Sequence, residues 1–263
     1  MSAGPGRPIS VVSEDGLAVV SVDSPPLNLF DALLAEGLHE AVAGLEGDRP
    51  RAVLFRAEGR VVSGGVDVSL FAALSGPEEA ADTFHGLVDL ARRVDRLPCP
   101  TVFAAHALCL TWAFELALAC DLIVAARSAS FGLVEKVIGL TPAMGGTQRL
   151  AERAGSGRAK ELVMTGRPFA AEELARWNVV NRVLPDEGFD QAARALAREL
   201  ADGPTLAHAA TKEVVRDYLE GGVELANERV SDVAGELFAS EDLQGAVRSF
   251  LEEGPGKAAF VGR

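Results

Sequence analysis

Over its first 125 or so residues the chain alternates short Val/Leu-rich runs with longer stretches of helical spacing, and Gly or Pro marks most changes of rhythm. Such a chain can bury its apolar faces only as a sheet covered by helices, an α/β fold. Residues 9–22 are rich in Val around Asp15-Gly16 and read as a β-hairpin that ends at Pro25-Pro26. Apolar residues then fall at helical spacing over 30–45, with Asp31 near the N-terminus, and 51–56 reads as a strand. A glycine-containing turn at 63–66 precedes a helical stretch over 78–96, closed by Leu97-Pro98-Cys99-Pro100. Strand 101–105, helix 113–120 and strand 122–125 follow. Beyond Thr147 the pattern is almost wholly helical, broken at Gly166-Arg167-Pro168 and by a strand-like 179–184, so the last eighty or so residues read as an all-α appendage.

With 263 residues, one large domain is the default. The chain is 48% hydrophobic but only 6% aromatic, so its core must be built from Ala, Val and Leu. A net charge of −13 argues against nucleic acid or an anionic membrane as partner. A small anionic ligand can still be held by backbone N–H groups. Cys99, Cys109 and Cys120 lie in apolar runs without C-x-x-C spacing and read as buried reduced thiols. Residues 1–8 lack the form of a signal peptide, and no segment offers eighteen uninterrupted apolar residues. The expectation is a cytoplasmic protein.

Phosphate-loop, dinucleotide-binding, zincin and nucleophile-elbow motifs are absent. His39, His85, His106 and His208 have no carboxylate or cysteine at ligand spacing, and no metal site is expected. What stands out is a pair of carboxylates in apolar surroundings. Glu115 lies in Trp112-Ala113-Phe114-Glu115-Leu116-Ala117, and Glu135 in Phe131-Gly132-Leu133-Val134-Glu135-Lys136-Val137. Burial without a partner would cost several kcal/mol and raise the pKa, which suits proton transfer. A salt-bridged structural carboxylate is the competing explanation. Ser63-Gly64-Gly65-Val66-Asp67, directly after a strand, is either a plain turn or a place where free N–H groups stabilise an oxyanion.

These residues resemble a known family. Ser63-Gly64-Gly65-Val66-Asp67 is similar to the S-A-G-A-D segment of the enoyl-CoA hydratase/isomerase (crotonase) superfamily, and 104–121 to its N-G-x-A-x-G-G-G-x-E-L-A…C-D segment. The most specific match is to F-G-x-P-E…G-x-x-P-x-x-G-G-T-Q-R-L, carried by Phe131, Gly132, Glu135, Gly139, Pro142 and the run from Gly145 to Leu150. Further matches at Thr165-Gly166-Arg167, Val179 to Val183 and 238–260 extend it over nearly the whole chain.

The resemblance implies a ββα spiral core (1–195) and a C-terminal helical region (196–263) that mediates trimers or hexamers. It implies an enoyl-CoA hydratase that converts a trans-2-enoyl-CoA to a 3-hydroxyacyl-CoA without a cofactor, CoA being part of the substrate. Glu115 and Glu135 would be the catalytic pair, Glu135 delivering a proton to Cα and Glu115 activating water. The amides of Gly64 and Trp112 would form the oxyanion hole. CoA would lie along Val62, Gly64 and Val66, with Asp67 capping the following turn and Lys257 near a phosphate. Three departures matter. The family's N-G is His106-Ala107 here, its glycines are Thr111-Trp112-Ala113, so the indole either reshapes the pocket or turns into the core, and Val134 replaces a proline before Glu135. An isomerase using Glu135 alone, or an acyl-CoA binder without turnover, are the rival readings.

Overall fold

The computed structural model describes residues 7–263; residues 1–6, and with them most of the segment weighed as a signal peptide, lie outside the described residues. The hairpin forms as expected: β1 (Ile9–Glu14) and β2 (Leu17–Val22) pair antiparallel. Asp15 and Gly16 both have positive φ, 47° and 82°, which matches the twist of a tight hairpin turn. Helix α1 (Ala32–Asp48) starts at Asp31, whose carboxylate accepts the Leu34 N–H at 2.8 Å, an N-cap that the sequence displayed. Strand β3 (Ala52–Ala57) then pairs parallel to β2.

After the short helix α2 (Ser69–Ala72) and the long α3 (Pro77–Asp95), β4 (Thr101–Ala105) enters the sheet fully buried. Next come β5 (Leu108–Leu110), α4 (Trp112–Ala119), β6 (Leu122–Ala126) and β7 (Ser130–Gly132). A 3₁₀ turn (Glu135–Ile138), α5 (Gly146–Ala154), α6 (Ser156–Thr165), β8 (Phe169–Ala170), α7 (Ala171–Arg176) and β9 (Arg182–Leu184) complete the core. The main sheet runs β1-β2-β3-β4-β6-β9, parallel from β2 onward. Its inner strands are apolar on both faces because helices cover both. A second sheet, β5-β7-β8, is built from pieces of two or three residues. The three cysteines are buried and unpaired, as expected.

The C-terminal third is helical: α8 (Phe189–Ala201), α9 (Thr205–Glu236) and α10 (Glu241–Glu253). The division placed after residue 195 falls inside α8, whose buried Phe189, Ala193 and Ala197 pack on the side of β3 and β4. Helix α9 is broken at Gly222, where φ is 75°. It is moored to the core by Lys212, whose Nζ donates to Asp121 at 2.8 Å and to the Cys99 carbonyl at 3.0 Å. Asp121 also accepts from the Thr101 N–H and hydroxyl. Lys212→Ala would leave this carboxylate without its cation, and we expect a loss of about 2 to 3 kcal/mol in urea unfolding, since breaking a largely buried pair costs more than breaking an exposed one. A loss within a few tenths would show that the pair is screened like a surface bridge. Among the described residues no helix is long and apolar enough to cross a membrane.

Candidate active site

Both carboxylates are buried, and neither has a cationic partner among the described residues. Glu115 sits in the first turn of α4, 4% exposed. One of its oxygens, Oε2, accepts the N–H groups of Met144 at 2.8 Å and Gly146 at 2.7 Å, at the start of α5. The salt-bridged alternative is thereby removed: the carboxylate is oriented by amides and a helix N-terminus, not by a charge. The Gly145-Gly146 pair is what permits this. Gly145 has φ of 100°, and a Cβ on Gly146 would come within 2.6 Å of Glu115 Cγ.

Glu135 opens the 3₁₀ turn, and its Oε2 is buried without a hydrogen-bond partner. Burial pushes its pKa up to about 7. Burial pushes Glu115 further, to about 8, opposed by the Gly146 amide and reinforced by the charge of Glu135. Near neutrality the pair therefore holds about one proton, and the second ionisation is resisted by the first. Two buried carboxyl groups, near enough for the charge of one to act on the other, are thus held with raised pKa values.

The turn after β3 departs from expectation in one respect. The Gly64 N–H is not free: it donates to the Leu27 carbonyl at 2.7 Å. Gly64 therefore has no free amide to offer an oxyanion, contrary to the expectation. Phe30 bridges to Val66 by taking the Gly65 carbonyl on its N–H (3.0 Å) and the Asp67 N–H on its carbonyl (3.0 Å). That ladder leaves the Val66 N–H directed away from Phe30 and without a protein acceptor among the described residues. The sequence offered no signal for this, because Leu27 lies far upstream.

Trp112 is the first residue of α4, so its N–H has no acceptor within the helix. Its indole turns into the core, 3% exposed, with Nε1 donating to the Asn28 carbonyl at 3.1 Å and the ring 5.8 Å from that of Phe30. The pocket is not obstructed by it. Thr111, just before, has φ of 51°, a conformation that favours the glycine of the resembled motif and strains a β-branched residue. Val62 is buried and donates to the Leu108 carbonyl at 2.9 Å. Asp67 caps the next turn as expected, accepting the Ser69 N–H at 2.9 Å, which also lowers its pKa. Lys257 is exposed in the tail, and among the described residues no hydrogen bond or ion pair joins it to this turn. His106 only bonds the Gly59 carbonyl, at 3.0 Å. A cleft of about 830 Å³ between α3, α5 and α9 contains none of the expected site residues. No group of three metal-ligating side chains occurs among the described residues.

Comparison with known proteins shows the family. The family model described as enoyl-CoA hydratase/isomerase matches residues 13–260. A Bacillus subtilis (strain 168) protein named probable enoyl-CoA hydratase is 31% identical over 252 residues, covering 93% of this chain and 96% of its own length. A carnitinyl-CoA dehydratase from Salmonella heidelberg is 36% identical over 207 residues, 78% of each chain. Among solved structures, an enoyl-CoA hydratase from Geobacillus kaustophilus HTA426 superposes with a TM-score of 0.92 at 25% identity, covering 99% of this chain and 98% of that one. A second form from the same organism, subunit I, gives 0.89 at 29% identity, over 97% and 98% of the two chains. A family match over almost the full length, a relative 31% identical and solved structures that superpose over nearly the whole chain establish that this chain belongs to the enoyl-CoA hydratase/isomerase family and has the crotonase fold.

Proposed function

We propose that this protein is a hydro-lyase that adds water to a trans-2-enoyl-CoA and gives a 3-hydroxyacyl-CoA. The observation that carries the reading is the retention of two buried, cation-free carboxylates whose pKa values stand near neutrality. An isomerase needs one such acid; syn addition of water uses two.

The thioester oxygen accepts the amides of Val66 and Trp112, which stabilise the enolate as it forms. Water attacks C3 while Glu115 takes its proton. Glu135 gives a proton to Cα, so the carbon–carbon double bond is saturated with no net change in charge on the pair. In the free protein the shared proton rests on Glu115, which holds it to the higher pH. Addition begins from the less favoured form with that proton on Glu135. The reverse reaction is a dehydration, the direction in the name of the Salmonella relative.

The chemistry is proton transfer, so no cofactor is required beyond the CoA that enters with the substrate. CoA lies against the backbone of Val62, Gly64 and Val66, with Lys257 of this or a neighbouring subunit on a phosphate. Val223, Phe238, Phe250 and Leu251 on the C-terminal helical segments are 58, 66, 59 and 79% exposed, an apolar face that favours a homotrimer or hexamer. The cytoplasm, where acyl-CoA is made and used, is the expected compartment.

The test is loss of the conjugated thioester absorbance of crotonyl-CoA and of a medium-chain enoyl-CoA. We expect kcat/KM to trace a narrow bell: it rises with pH as the pair loses its first proton near 7 and falls as the second leaves near 8. Below the window no base is available, and above it no acid. No conversion of any chain length by protein that binds CoA esters would overturn the reading.

A further inference from the structure

The two proposed donor amides lie on separate segments, and the structure contains a link between them that a glycine could not make. Val66 belongs to the 63–67 turn; Trp112 opens α4. One connection is the bridge between Ser63 and Cys109, with Ser63 N–H on the Leu108 carbonyl at 3.1 Å and Leu110 N–H on the Ser63 carbonyl at 3.2 Å. With the Val62 N–H on the same Leu108 carbonyl at 2.9 Å, this connection ties the start of the turn to β5.

The second connection runs through the segment 27–30. On one side this segment grips the turn three times, through Leu27 O to Gly64 N, Phe30 N to Gly65 O and Asp67 N to Phe30 O. The Asn28 side chain stiffens it by accepting the Ser24 N–H at 2.7 Å and donating to the carbonyls of Glu58 and Val61 at 2.9 and 3.1 Å. On the other side it is held by Trp112 of α4, through Nε1 on the Asn28 carbonyl and the ring against Phe30. The residue whose amide is one donor thus fastens, by its side chain, the strut that carries the other.

We propose that the Trp112 indole is a positioning residue that holds the Val66 and Trp112 amides at the separation and tilt required by a thioester enolate. This deepens the hydratase reading and rests on it. The indole does not touch substrate. Its loss loosens one donor relative to the other, which weakens binding of the enolate more than binding of the ground-state thioester.

Trp112→Phe keeps a ring against Phe30 but removes the donor. We expect kcat for enoyl-CoA hydration to fall about tenfold, with KM within twofold and the two limbs of the pH profile unmoved, because Glu115 and Glu135 are untouched. In parallel, acetoacetyl-CoA, whose enolate absorbs distinctly from its keto form, reads the oxyanion site without turnover. Its enolate affinity should fall by a similar factor while the affinity for CoA alone is unchanged. Should the phenylalanine variant fail to fold, benzothienylalanine at position 112 replaces the indole N–H by sulfur at nearly the same shape, and the same losses are expected. A melting temperature lowered with kcat and enolate affinity unchanged would overturn the proposal and leave Trp112 a plain core residue. A wild type that stabilises the enolate but hydrates nothing would sink the hydratase reading while the enolate measurement still decides the role of Trp112; a wild type that does neither would remove both.

Discussion

Glu115→Gln is expected to lower hydration by about 10³-fold or more in kcat and, at the same time, to make the protein more stable. The first effect follows from removing the group that takes the proton of water, a role that typically contributes 10² to 10⁴. The second follows from the raised pKa. In an unfolded chain this carboxyl ionises near 4.3, whereas the fold holds its proton to about 8. From pH 4.3 upward the unfolded chain releases a proton that the folded one retains, so stability is lost as pH rises and the full burden is present near pH 8. Glutamine keeps an oxygen for the Met144 and Gly146 amides and never ionises. The gain should be on the order of 2 to 4 kcal/mol at pH 8, shrinking to about 1 at pH 5, as read by urea unfolding at both values. If hydration survived intact, Glu135 would be acting alone and the two-acid mechanism would fail.

The second large effect is expected at Gly146. A methyl group there would meet Glu115 Cγ at 2.6 Å, a distance that real Cβ atoms essentially never show, and Oε2 at a tight 3.0 Å. Glu115 is buried on all sides, so Gly146→Ala must displace either the carboxylate or the first turn of α5. Overpacking of this kind costs about 1 to 3 kcal/mol. Because the displaced group is the base, we expect at least a hundredfold loss of kcat in protein that is still folded at the assay temperature. Circular dichroism and urea unfolding of the same preparation separate the two effects. Full activity in Gly146→Ala would mean that the carboxylate is not held where the chemistry occurs.

Much of the architecture was legible because long elements carry redundant signals. Helix α1 had both its spacing and its Asp31 cap, and β4 its unbroken apolar run between prolines and His106. The second sheet was not legible. Its strands, Leu108–Leu110 and Ser130–Gly132 among them, are too short to display a period, and Leu-Cys-Leu runs into the apolar helix that follows. The glutamates were legible because a charge inside an apolar run is conspicuous. Which amide of the 63–67 turn is free was not, since that depends on Leu27 and Phe30 docking from elsewhere in the chain. The direction of the Trp112 indole is a similar case: its acceptor, the Asn28 carbonyl, is backbone and leaves no mark in residue identities.

The fit between Glu115 and the bare Cα of Gly146 also has an evolutionary reading. The two positions are mutually contingent, and their losses are not equivalent. A lineage that first gave up the acid would vacate the space beside residue 146, so that a side chain could settle there with little further penalty. After that, restoring the acid alone would meet an occupied site. Such a lineage would pass through a one-way gate, able to drift toward other chemistry on the same fold but unable to regain hydration by a single reversion.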